Sequence, residues 1–281
     1  MKIHILDTGK LKLDGGAMFG VVPKVLWNKI YPADENNQVK LVMRCLLIET
    51  GDKKIIIDTG VGSKMDEKKS QIYFLEDILP LDELVASKGI NPEEITDVIL
   101  THLHFDHCGG SVKYNSKGEA VPVFPNANYI VSTTQWEAAV NPNKRERASY
   151  FPENFIPLQE HNLLQLIDSN YRLTEDIELR LFNGHTNGQI VPFIKYNDNI
   201  LVFIGDIIPS VANIPLSWIT AYDMQPLVAL EEKEEFLNEA EKNNYILVME
   251  HDIYNECCTV RKTEKGVRVH EIFRFEDIEQ K

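Results

Sequence analysis

The chain reads as a mixed α/β protein on three observations. Apolar runs of strand length recur and end in loops rich in histidine, aspartate and glycine. Helical spacing appears between them, and no Pro/Ser/Gly-rich linker or low-complexity stretch divides the 281 residues. Met1-Lys2-Ile3-His4-Ile5-Leu6-Asp7 opens as a strand rather than as a charged leader peptide. Residues 39–50 and 53–58 form a hairpin around Gly51-Asp52. Residues 82–88 predict a short helix closed by Gly89, and Asn91-Pro92-Glu93-Glu94 carries the cap, proline and acidic residues of a helix start. Asp97-Val98-Ile99-Leu100 is a buried strand. Asn115-Ser116-Lys117-Gly118 is a turn, and residues 132–140 predict a helix that buries Trp136. Residues 177–182, 200–204 and 245–250 read as further strands. Residues 227–243 carry Leu230, Phe236, Leu237 and Ala240 on one helical face, which leaves the run Glu231-Glu232-Lys233-Glu234-Glu235 as a solvated surface.

Composition narrows the classes of function. A hydrophobic share of 43% can fill a sizeable core, and no apolar run approaches the ~18–20 residues a membrane span requires. Twenty-nine basic against 43 acidic residues leave a net charge of −14, which disfavours nucleic acid as a partner. Four cysteines, two of them the adjacent Cys257 and Cys258, imply no disulfide framework. Cys108 reads as a small buried filler. The expectation is one cytoplasmic domain over residues 1–281, because candidate site residues run from 102 to 251 and any cut would separate them.

The densest chemistry lies in His102-Leu103-His104-Phe105-Asp106-His107, four metal-ligand groups in six residues where a strand gives way to a loop. Loops at strand ends are where catalytic groups concentrate. Histidines two apart project to the same side of extended chain, so His102 and His104 can share one ion while Asp106 and His107 face a neighbouring one. Zinc-like ions take imidazole nitrogen and carboxylate oxygen, and a catalytic ion keeps a position open for water. Further ligands are therefore needed. Gly184-His185-Thr186, Gly205-Asp206 and His251-Asp252 each follow an apolar run and supply them.

In that order these residues resemble the metallo-β-lactamase fold superfamily, and within it the dinuclear lactonase and organophosphate-hydrolase branch. The resemblance covers most of the chain. It implies a four-layer αβ/βα sandwich with two divalent ions, zinc by family habit, at one edge of two sheets. His102, His104 and His185 would hold the first ion, Asp106, His107 and His251 the second, and Asp206 would bridge them. Asp58, in Ile55-Ile56-Ile57-Asp58-Thr59-Gly60, matches a position whose carboxylate orients a ligand. The activity implied is ester hydrolysis, foremost the opening of N-acyl homoserine lactones (quorum quenching). A hydroxide generated at the two ions would attack the carbonyl, and Asp106 would return a proton to the leaving alkoxide.

Substrate contacts are expected from residues 12–30, read as a loop with Met18 and Phe19 exposed and Trp27 close behind. Phe105, Ile207, Trp218 and Tyr222 would line the rest, pointing to a small apolar or amphipathic ester or lactone. Many acyl-homoserine-lactone lactonases carry a tyrosine three residues after the bridging aspartate. Here that position is Pro209, with Tyr222 as the candidate replacement, so a phosphotriester or aryl ester stays open as substrate. A non-catalytic metal-dependent binding protein and a diiron redox protein are the readings from other classes. A homodimer is also left open.

Overall fold

The computed structural model describes residues 1–280. Close contacts divide the chain into two compact units that interleave in sequence. The first comprises residues 1–11, 42–169 and 188–190, the second residues 12–41, 170–187 and 191–281. No helix among the described residues is long and apolar enough to cross a membrane.

The first unit is built on a six-stranded sheet in the order Lys2–Asp14, Gln38–Thr50, Lys53–Ile57, Asp97–Ile99, Asn128–Ser132, Leu164–Ile167. Its hairpin pairs Thr50 with Lys53 through Leu46 with Ile57, and Gly51 takes the left-handed conformation at φ 57° that the tight turn demands. The next three pairings are parallel. Parallel strands are covered on both faces, which is why Asp97-Val98-Ile99 has no exposed side. Ile56, Val98, Tyr129, Val131, Phe124, Phe155 and Trp136 belong to this unit's core. The helix Thr133–Val140 starts where expected, with Ser132 Oγ accepting from Gln135 N at 3.0 Å.

The second unit holds a seven-stranded sheet. Strand Asn199–Phe203 sits between Gln189–Tyr196, antiparallel, and Ile246–Val248, parallel. The helix Pro226–Asn243 puts Phe236, Leu237 and Ala240 into a core shared with Val202, Ile204, Leu247 and Met249. It ends on Asn244 in the left-handed conformation.

Three local expectations are corrected. Residues 12–30 are not an open loop: the first strand continues to Asp14, whose carboxylate caps a short helix Gly15–Phe19, and a second short helix spans Lys24–Trp27. Met18 and Phe19 are only 4% and 1% exposed. Phe19 stacks on Trp27 at 4.9 Å and meets the edge of Trp218 at 6.1 Å, a burial of aromatic surface that outweighs exposure. The start at Asn91 closes its capping box but yields one 3-10 turn, Pro92–Glu94, since Thr96 N must already donate to Lys54 O at 2.9 Å to enter the sheet. Within the charged run of the long helix, Lys233 is buried rather than solvated.

Candidate metal centre

Strand Asp97–Ile99 delivers Leu100, Thr101 and the histidine cluster, and the chain then makes one helical turn, Phe105–Cys108, that carries Asp106 and His107. Asp58 lies at the end of the neighbouring strand with φ 55°, an uncommon conformation for a residue with a side chain. Its two oxygens explain the strain. Oδ1 accepts from Thr101 N at 2.7 Å, and Oδ2 from Thr101 Oγ1 at 2.6 Å with His107 Nδ1 at 3.0 Å. The carboxylate expected to orient a ligand thus meets His107.

His102 and His104 each have one ring nitrogen engaged in the same way. His102 Nδ1 lies 3.1 Å from Thr101 Oγ1. His104 Nε2 lies 3.1 Å from Glu146, a buried carboxylate whose Oε1 is 2.6 Å from the Tyr150 hydroxyl and whose Oε2 accepts from Asn143 Nδ2 at 3.0 Å. The opposite nitrogens, His102 Nε2 and His104 Nδ1, face each other at 3.0 Å. His107 Nε2 lies 3.8 Å from Asp106 Oδ1.

The glycines after the cluster bring two loops together. Gly110 N donates to Gly60 O at 2.9 Å, and Thr59 N to His107 O at 2.7 Å. A Cβ on Gly110 would collide with the Thr59 carbonyl, and one on Gly109 with that of Val61. Cys108 is buried with its thiol against Leu103 O at 3.3 Å, and burial pushes its pKa up to about 12. That suits filler rather than nucleophile.

In the second unit, His185 Nδ1 lies 3.0 Å from Asp223 Oδ1, and Asp223 is itself held by Thr220 N at 3.1 Å and Thr220 Oγ1 at 3.0 Å. Asp206 follows Gly205, at φ 54°, on a 3-10 turn. Its Oδ2 lies 3.2 Å from His185 Nε2 and its Oδ1 3.0 Å from His251 Nε2. One carboxylate thus lies between two imidazoles. Asp252, fully buried, accepts from Val211, Tyr254 and Asn255 backbone amides and fixes the turn after His251.

The donor set fits divalent metal ions of the zinc type. Four histidines present one nitrogen to other ligand atoms while a hydroxyl or carboxylate partner sets the tautomer and orientation through the other. Donor atoms of His102 and His104, of Asp106 and His107, and of His185 and Asp206 lie within 4.8 Å of each other. Of the expected substrate contacts, Phe105 is buried beside Tyr73 and Phe151, at 4.4 and 5.4 Å. Ile207, Trp218 and Tyr222 are half-buried on the segment after Asp206.

Sequence reasoning missed Thr101, Glu146 and Asp223. Glu146 sits in Lys144-Arg145-Glu146-Arg147, which looks like exposed charge, and Asp223 is 38 positions from the histidine it holds. No local pattern marks either.

The model of the metallo-beta-lactamase superfamily matches residues 44–251, a span that begins before Asp58 and ends on His251. The chain belongs to the metallo-beta-lactamase superfamily. An N-acyl homoserine lactonase of Bacillus thuringiensis is 26% identical over 205 residues, 69% of this chain and 70% of that protein. A crystal structure of a probable metal-dependent hydrolase from Staphylococcus aureus is 31% identical with a TM-score of 0.88, covering 98% of this chain and 97% of that one. AidC, a dizinc quorum-quenching lactonase in complex with a product N-hexanoyl-L-homoserine, has the same fold at 22% identity and a TM-score of 0.79, covering 97% and 95%. These relatives are hydrolases, and the mixed α/β class with more than one sheet is that of the superfamily.

Proposed function

We propose that the chain is a dinuclear metal-dependent hydrolase that opens lactone rings, with N-acyl homoserine lactones as its substrate class. The observation that carries the metal chemistry is the pinning of His102, His104, His107 and His185 by Thr101, Glu146, Asp58 and Asp223. Buried imidazoles so fixed are prepared as ligands rather than as core packing. On this reading His102, His104 and His185 would hold one ion and Asp106, His107 and His251 a second, with Asp206 serving both.

Two divalent ions bound there would supply a hydroxide at neutral pH and polarise the scissile carbonyl. The chain's own groups do the rest. Asp58, Glu146 and Asp223 hold the imidazole tautomers, and Asp106 takes the proton carried in by the attacking hydroxide and passes it to the departing alkoxide. Ile207, Trp218 and Tyr222 offer apolar surface to the acyl part of the substrate. The lactone itself is supported by the lactonase relatives.

Pro209, three residues after Asp206, favours a second reading, an aryl ester or phosphotriester as substrate. The test is a panel of acyl homoserine lactones, aryl esters and phosphotriesters assayed on protein of known metal content. Lactones should give the highest kcat/KM with two metal equivalents bound. A clear preference for phosphotriesters would replace the lactone reading, and iron with oxygen uptake would replace the hydrolase.

A further inference from the structure

Lys233 lies in the most charged stretch of the helix Pro226–Asn243, yet it is only 1% exposed. Its Nζ donates to the carbonyl oxygens of Asn213 at 2.5 Å, Pro215 at 3.0 Å and Trp218 at 3.1 Å. An ammonium has three N–H bonds and no acceptor, so one loop uses all of them. Burying a charge is costly unless it is paired and hydrogen-bonded. Burial pulls the Lys233 pKa down to about 7, with Asp223 opposing and Arg268 adding to the shift. A leucine would fill the same space without that cost, so the helix itself gains nothing from a lysine here.

The loop is what gains. Residues 206–223 connect Asp206 to the carboxylate that holds His185, and their middle is organised around the ammonium. Ser210 Oγ donates to Asn213 Oδ1 at 2.6 Å, Asn213 Nδ2 lies 3.1 Å from Met18 O and 3.4 Å from Trp218 O, and Trp218 N donates to Pro215 O at 2.8 Å. Two residues beyond Trp218, Thr220 begins the turn that clamps Asp223. Without the ammonium three inward-facing carbonyls lose a donor, and the loop must open to find water.

We propose that Lys233 is a positioning residue, whose ammonium fixes the loop 213–218 and thereby sets the Trp218 ring and the Thr220–Asp223 turn behind His185. For what the loop serves, this rests on the hydrolase reading above.

The experiment compares the metal-loaded parent protein with Lys233→Met, which keeps the stem and removes the donors. Hydrogen exchange is read along the chain, and kcat and KM are measured on an aryl ester and a lactone. We expect exchange at residues 213–223 to quicken by about tenfold or more with the long helix still protected, and KM to rise by about tenfold with a smaller change in kcat. Unchanged exchange in that segment, or unchanged KM in a folded variant, overturns the proposal. Should Lys233→Met fail to fold, Lys233→Gln decides instead, since its shorter side chain cannot supply the three donors. Quicker exchange at residues 213–223 supports the proposal and exchange equal to the parent's overturns it. If the parent hydrolyses no ester or lactone, the functional reading fails, and the exchange measurement alone judges whether Lys233 holds the loop.

Discussion

At the scale of single residues, the site depends on carboxylates doing different work. On the proposed reading Asp106 serves as both ligand and proton donor, and these roles separate by substrate. A phenolate leaves without a proton, whereas a lactone alkoxide needs one. Asp106→Asn should therefore slow lactone hydrolysis by about 10²-fold or more, and aryl ester hydrolysis much less, once rates are corrected for metal content. Equal losses at equal metal content would leave Asp106 a ligand only. Glu146 touches no reacting atom on this reading. It sets the tautomer of His104 and is itself held by Tyr150 and Asn143. Glu146→Gln keeps the shape but exchanges an acceptor for an amide. Metal affinity, read by chelator competition, should fall by about 10- to 100-fold, the range for partners of ligating histidines. Affinity equal to the parent's would remove Glu146 from the metal site.

At the scale of elements, the candidate ligands and Asp58 were legible and the other supports, Thr101, Glu146 and Asp223, were not, for a physical reason. A strand that must be buried on both faces announces itself as an apolar run, and the histidines at the end of Asp97–Ile99 are adjacent in sequence. The hairpin at Gly51 and the helix at Ser132 were legible through their turn and cap residues. By contrast, residues 12–30 folded into short helices because Phe19 and Trp27 could stack, a contact between side chains eight positions apart. Lys233, Glu146 and Asp223 meet Asn213, His104 and His185 only in the folded chain, and alone they resemble solvated charges. The close approach of residues 58–62 to 107–110 is of the same long-range kind. Gly110→Ala tests it: a methyl driven into the Thr59 carbonyl should lower stability by about 1–3 kcal/mol, the usual cost of overpacking, measured by urea unfolding. An unchanged midpoint would mean that the loops have room to move apart.

At the scale of the whole molecule, the folded chain carries a strong net negative charge and also gathers buried carboxylates around imidazoles. Asp58 and Asp106 in the first unit, and Asp206 and Asp223 in the second, are buried or nearly so, and a buried carboxylate beside ligand histidines is stabilised by a bound cation. Divalent ions that bind the folded form and not the unfolded one add stability by mass action. At free metal a hundredfold above Kd, one such ion contributes about 2.7 kcal/mol. Removal of metal by a chelator should therefore lower Tm by several degrees, on the order of 2–4 °C per kcal/mol for a chain of roughly this size, and zinc should restore both Tm and activity. The metal-free protein should keep its far-UV circular dichroism, because the strands and helices draw their stability from apolar cores such as those around Val98 and Val202 rather than from the ions. Complete unfolding on chelation would show instead that the ions are needed for the fold itself. A Tm indifferent to metal, in protein proven to bind it, would separate the carboxylate cluster from metal binding and overturn the ligand set built on His102, His104, Asp106, His107, His185, Asp206 and His251.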